Sequence, residues 1–295
     1  MKTPSGQHEW QVFPQENDQR LGTFIREKIP DISLREVKIA LEKGSCRINH
    51  RIQKFASYRV RKGDIILFNY IRSQSIEPYF GKNDILLEDD YLLALNKRAG
   101  CECIMKSHEH WLLDPMPKDI LHKNPHLTLI HRLDRDTSGV ILFAKNQDVK
   151  SKFIEMFRLQ AISKIYVALV DGVLRRTHGE IKKSLSNESV KNSAKGDNRT
   201  TLAITRFELL KQYKHFALVK LMPVTGRTHQ LRIHMAEIGH PMLGDFKYGE
   251  HFKIQHPVPH IMLHAQKISF KHPFTNELIK IEAPVPDDFR DMKQF

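Results

Sequence analysis

Residues 131–139 read His-Arg-Leu-Asp-Arg-Asp-Thr-Ser-Gly, and Val140-Ile-Leu-Phe-Ala144 follows without a break. One carboxylate, Asp134, stands between two guanidinium groups, Arg132 and Arg135. A polar turn running straight into an unbroken apolar stretch is the pattern of a reactive side chain held at the head of a buried strand. A local role is also open to Asp134. Aspartate often accepts hydrogen bonds from turn amides, and the bend Asp136-Thr-Ser-Gly139 offers them.

Other stretches accompany this one in order. Lys164-Ile-Tyr166-Val-Ala168 lies on a predicted strand over 164–171. Pro223-Val-Thr-Gly-Arg-Thr-His-Gln-Leu-Arg-Ile-His234 follows, then Gly239-His-Pro-Met-Leu-Gly244-Asp245 and Tyr248-Gly249. Leu263-His-Ala265 and Phe270-Lys-His-Pro273 close the series. Together these motifs resemble the RluA-type RNA pseudouridine synthases, over roughly residues 85–287. The resemblance implies an α+β fold. A mixed, largely antiparallel sheet with flanking helices would form the catalytic domain, over residues 85–295.

Roles come with the resemblance. Asp134 would be the catalytic residue, and Arg232 the cation facing it, although the two are about 100 residues apart in the chain. Tyr166 would stack on the uracil and accept the carbon-bound proton. Arg132, next to Leu133, would help flip the target base out of the RNA, a step costing a few kcal/mol. A planar guanidinium suits that task, since it stacks and donates several hydrogen bonds. Leu133, Arg227 and Leu263 are carried over to the substrate side, with Ile261-Met-Leu263 as one apolar wall. Plainer uses stay open: strand packing for Tyr166, a structural ion pair for Arg232, and fixing of the helix and its loop for Arg227, His229 and His234.

The chemistry is consistent with these residue types. Pseudouridine formation breaks the uracil–ribose bond, turns the base and rejoins it through carbon. Asp134 must be ionised for this, and a neighbouring cation favours the ion. Three uses of the carboxylate remain open: attack on the base, attack on the sugar, or removal of a ribose proton. The reaction is an isomerisation, so it requires no redox or group-donating cofactor, and none is expected. No metal is expected either. Cys101-Glu-Cys103 has no second pair of ligands, and His229 and His234 are five apart rather than the four that aligns ligands on one helical face.

Composition points the same way. The chain has 295 residues, 40% of them hydrophobic, and a net charge of +13. Residues 20–72 carry 13 Lys/Arg against 5 Asp/Glu, so 8 of the 13 net charges fall in this short segment. Clustered cations gain affinity for polyanions by displacing counterions from phosphates. Nucleic acid is therefore the expected partner, and the resemblance makes it RNA, with 23S ribosomal RNA the best fit and transfer RNA an alternative. No apolar run approaches the ~20 residues of a membrane span. The N-terminus has no apolar signal core, and three cysteines make no disulfide framework, so a monomer in a reducing cytoplasm is expected.

The basic segment has its own pattern. Residues 1–17 read as a loose tail, and 18–72 as a small module. Leu21, Ile25 and Ile29 repeat at helical spacing up to Pro30. Ser33-Leu-Arg-Glu36 is a capping box, Leu34, Val37 and Leu41 make an apolar face, and Gly44 suits a left-handed cap. Arg35 and Lys38 then lie on the exposed side, where they would meet RNA. Short strands are predicted near 46–49 and 64–70. The pattern resembles the RNA-binding domain of ribosomal protein S-four, except that Asn49-His50-Arg51 stands where an Asn-Gly turn is usual. Another departure is Arg98, where similar enzymes have Pro.

Residues 73–84 read as a linker, 105–127 as an irregular insertion, and 175–199 as a mobile polar loop. Helices are predicted over 147–160 and 228–238, and strands over 90–97, 201–210 and 215–222. Two rival functions fit parts of the chain: an inactive RNA-binding relative acting in RNA folding or ribosome assembly, and a hydrolase using Asp134 to activate water. Glycosidases place two carboxylates across the bond; Asp136 is near in sequence, but in the family that this chain resembles its position is variable.

Overall fold

A computed structural model describes residues 7–29, 32, 34–42, 44–70, 82–107, 110–114, 116–186, 200–245, 247–249, 258 and 260–291. The chain divides into two compact units. One holds residues 1–75 with two short segments between 244 and 259, and the other holds the remainder.

In the smaller unit β1 (Gln7–Gln11) precedes α1 (Leu21–Lys28) and α2 (Leu34–Glu42). The strands β2 (Cys46–Ile48), β3 (Arg51–Ile52) and β4 (Ile65–Asn69) complete an antiparallel sheet in the order β1-β4-β2-β3. Leu21, Phe24 and Ile25 of α1 and Val37 and Leu41 of α2 are buried against Ile66 and Phe68, as their helical spacing requires. Gly44 ends α2 at φ +76°, a left-handed position that glycine adopts without steric cost. Ser33 of the capping box lies outside the described residues.

Two expectations change here. Residues 7–16 are no loose tail: β1 pairs in register with β4, Val12 is buried, and Trp10 packs edge-on to Phe24 at 6.0 Å. Apolar burial holds a segment whose composition alone looks polar. The Asn49-His50 turn also forms the hairpin without glycine, both residues taking positive φ of 49° and 69°. Asn49 secures it, its Nδ2 donating to Asp64 Oδ1 at 2.8 Å and its Oδ1 accepting from Ile65 N at 2.9 Å.

The larger unit is built on a ten-stranded sheet. Its N-terminal part contains β5 (Ile85–Glu88), β6 (Leu92–Lys97), β7 (Glu102–Ser107), β8 (His110–Asp114), α3 (Lys118–Lys123), β9 (Thr128–Leu129), β10 (Ser138–Ala144) and α4 (Gln147–Arg158). Next come β11 (Ser163–Asp171), β12 (His178–Ser186), β13 (Thr200–Gln212), β14 (Phe216–Pro223) and α5 (Gln230–Glu237). The chain ends with β15 (Leu263–Lys271), β16 (Leu278–Glu282) and α6 (Asp287–Asp291). Sheet order is β12-β13-β14-β11-β15-β10-β6-β5, with β16 beside β15 and β9 beside β10. All described pairs are antiparallel except β10–β15. The fold is thus α+β on a largely antiparallel sheet.

The strand β10 is buried along its whole length. Ile141 and Phe143 face one core cluster with Leu133, while Val140, Leu142 and Ala144 face the other with Val149 and Phe153 of α4. Both faces are covered, which explains the unbroken apolar run.

Two more expectations are corrected. The stretch 105–127 is not irregular: β7 and β8 form a hairpin and α3 follows, with Leu112, Leu113 and Ile120 in the core. Of the polar stretch 175–199, residues 178–186 form β12 at the sheet edge, where one neighbour, β13, satisfies its backbone. An edge strand needs few apolar residues, so its composition resembles a loop. Residues 187–199 lie outside the described residues, as do 73–81 of the expected linker, and Lys82–Asp84 form a short 3-10 turn.

Candidate active site

Asp134 projects from the turn between β9 and β10, and that turn is gripped from several sides. Thr137 N donates to Asp134 O at 3.1 Å. Lys97, fully buried at the end of β6, donates from Nζ to Arg98 O at 3.0 Å and Arg135 O at 2.8 Å. Gly100 N also donates to Arg135 O, at 2.9 Å. Cys103 Sγ lies 3.4 Å from Leu133 O and donates to it. Burial pulls the Lys97 pKa down to about 8, because the charged ammonium is removed from water.

The flanking motif residues are scaffold. Leu142 N donates to His131 Nε2 at 3.2 Å, so this nitrogen carries no proton, and burial holds the His131 pKa near 4. The pair Ser138 Oγ and His264 Nδ1 lies at 2.9 Å, and His264 Nε2 lies 3.3 Å from Ala283 O. Nε2 must donate to that carbonyl, so Nδ1 accepts from the serine. Burial likewise lowers the His264 pKa to about 4, in keeping with a neutral ring. Gly139 adopts φ +112°, and a Cβ there would sit 2.2 Å from Ala265 O. Only glycine lets β10 approach β15 this closely.

Arg232 reaches Asp134 across the fold, Nη1 to Oδ2 at 2.9 Å. His229 Nε2 stands 3.7 Å from the other oxygen, Oδ1. Both come from α5, one turn apart, and His229 caps its start in a left-handed conformation at φ 54°. Gln230 fixes this helix start: its Oε1 accepts from Thr225 Oγ1 at 2.7 Å and from Arg227 N at 3.0 Å, and its Nε2 donates to Ile204 O at 2.9 Å. The His229 contact was not foreseen, although the i, i+3 spacing to Arg232 is a usable signal.

Tyr166 lies on β11 at a register shift against β15. It packs against two clusters, one containing Leu133 and the other Leu231 and Leu263. Burial raises its pKa, and the charge of Asp134 adds to the effect, so the ring stays a neutral phenol.

Arg132 does not join Asp134. Its guanidinium lies 4.7 Å over the Trp111 ring, on the β7–β8 hairpin. Trp111 was unread in the sequence, where a tryptophan near histidines and prolines carried no motif. Arg227 is exposed, and only its backbone amide is tied into the loop. Leu133 and Leu263 are buried walls. Lys38 is exposed on α2 of the other unit, and the side chain of Arg35 lies outside the described residues. Among the described residues no His/Cys/Asp/Glu group is arranged to hold a metal, and no helix is long and apolar enough to cross a membrane.

A carboxylate ion-paired to an arginine near a half-buried phenol, on a largely antiparallel sheet, is a set of side chains able to do acid–base or nucleophilic chemistry. The family model for RNA pseudouridylate synthase matches residues 91–237. A ribosomal large subunit pseudouridine synthase C from Buchnera aphidicola is 32% identical over 97% of this chain and 96% of its own length. Proteins of the same name from Yersinia pestis and Escherichia coli are 33% and 32% identical, each over 95% of this chain and 92% and 93% of their own. The chain belongs to the RNA pseudouridylate synthase family, isomerases acting on RNA uridines. Two solved human proteins share the fold. RNA pseudouridylate synthase domain containing 1 has a TM-score of 0.55 at 24% identity, covering 68% of this chain and 82% of that one. Domain containing 4 has 0.56 at 24%, covering 70% and 90%.

Proposed function

We propose that this enzyme isomerises specific uridines of large-subunit ribosomal RNA to pseudouridine, with Asp134 as its essential carboxylate. The observation that carries the assignment is the Arg232–Asp134 pair at 2.9 Å with Tyr166 packed, half-buried, against the neighbouring walls. The substrate rests on relatives that match nearly end to end and bear the large-subunit name.

Arg232 holds and orients the carboxylate through its hydrogen bond, whichever of its three uses applies. Tyr166 serves as the platform for the uracil. Its raised pKa makes a phenolate costly, so accepting the carbon-bound proton would require a rearrangement that relieves that cost. Arg132, held over Trp111, is positioned to enter the RNA when the base leaves its stack. Leu133 and Leu263 supply apolar walls and Arg227 an exposed cation for the RNA backbone. The N-terminal module, with its helix pair and small sheet, serves as an RNA-binding domain like that of ribosomal protein S-four, using Arg35 and Lys38.

Pseudouridine mapping in cells with and without the protein identifies the target sites. Asp134→Asn keeps the side-chain shape and removes the anion, so the variant should fold, bind RNA and release no tritium from carbon-5-labelled uridine RNA. Release near the wild-type rate would remove Asp134 from the chemistry.

A further inference from the structure

Among the described residues Lys164 is a cation without an anion. It lies on β11 two residues before Tyr166 and is half-buried. Two other lysines of the larger unit have partners: the fully buried Lys97 donates to two carbonyls, and the half-buried Lys145 Nζ lies 3.1 Å from Glu88 Oε1. Among the described residues no carboxylate comes within ion-pair distance of Lys164. Its Nζ instead lies 5.7 Å over the Phe157 ring and beside Gly226, where a Cβ would stand 3.4 Å away. His131 is close enough for its imidazolium form to be disfavoured by this charge.

A half-buried ammonium with no counter-charge is unfavourable, and desolvation lowers the Lys164 pKa. Such a group persists where an arriving anion compensates it. A diester phosphate has the right charge and accepts hydrogen bonds from an ammonium and an arginine alike. Gly226 leaves the approach open, and the exposed Arg227 follows it directly.

We propose that Lys164, with Gly226 and Arg227 beside it, forms a phosphate-binding subsite that holds the RNA backbone next to the flipped uridine. Lys164 is then a positioning residue. It touches the strand rather than the reacting base. This inference rests on the uridine-isomerase reading above and assigns one phosphate of that substrate.

The test uses full-length protein and a short synthetic RNA carrying a mapped uridine, in native form and with a neutral methylphosphonate at either linkage flanking that uridine. Lys164→Met should fold with a melting temperature no lower than wild type, because an unpaired, half-buried charge is removed. Its KM should rise roughly tenfold with kcat nearly unchanged, as for a lost charge-assisted bond. The slope of log affinity against log salt should fall by about one. Lys164→Arg should restore most of the affinity. One methylphosphonate position should weaken wild-type binding and leave Lys164→Met indifferent. Gly226→Ala provides a second perturbation and should weaken RNA binding without unfolding. A lowered melting temperature with an unchanged salt slope would make Lys164 a packing residue and overturn the proposal. Equal methylphosphonate penalties in both proteins would do the same. If wild type forms no pseudouridine in ribosomal RNA, the broader reading fails instead, and the two failures are distinct.

Discussion

Lys97→Met asks whether a buried charge holds the turn that presents Asp134. The Lys97 ammonium is fully buried, and its pKa falls from 10.5 to about 8. Between those values the unfolded chain binds a proton that the folded protein releases, so stability contributed by this group rises with pH across that window. The difference, 10.5 − 8 = 2.5 units, is worth about 3 kcal/mol at about 1.4 kcal/mol per unit. Roughly 2 kcal/mol of it should appear between about pH 7 and about pH 9.5. Methionine lacks this dependence. Near neutral pH the variant escapes the cost of the buried charge, but leaves Arg98 O without its lysine donor, a loss of about 1–3 kcal/mol. These nearly cancel, so urea midpoints of the two proteins should agree near pH 7. The variant should then fall behind by about 2 kcal/mol toward pH 9.5. Single-turnover tritium release at pH 7 should drop at least about tenfold, because Arg135 O keeps only the Gly100 amide and the Asp134 turn loosens. Parallel stability curves would show that the ammonium is solvated. A wild-type rate in a stable variant would show that the turn is held without it.

Gly139→Ala should destabilise the protein by about 3 kcal/mol or more, since the new Cβ meets Ala265 O at 2.2 Å and φ is +112°. Thermal melting of the purified variant measures this, and an unchanged melting temperature contradicts the close approach. Trp111→Leu removes a cation–π contact of about 1 kcal/mol and should lower RNA affinity about fivefold. Adding Arg132→Lys should then cost less than it does in wild type, whereas additive losses would separate the two residues. Lys38→Gln should reduce the salt slope of RNA binding by about one if α2 contacts phosphate, and should leave it unchanged if that face is merely solvated.

Much of this protein follows from neighbours in the chain. The helix α1 and the Gly44 cap depend on residues three to four apart, and the double burial of β10 is written in five consecutive apolar side chains. The identity of Asp134 as the central carboxylate is also local, because its motif is contiguous. Contacts between distant segments were another matter. Arg232 and Asp134 are 98 residues apart, and only the folding of α5 against the sheet brings their charges to 2.9 Å. The β7–β8 hairpin, with Trp111 under Arg132, went unread because its histidines and the prolines just after it mask the alternation of a strand. The strands β1 and β12 look polar because each relies on one partner strand for its backbone bonds, and the paired residues lie 14 or more positions away. Lys164 gives no sign in the sequence of lacking a counter-charge. That property exists only once every neighbouring side chain has been placed, since burial sets the cost of a charge and the fold sets burial.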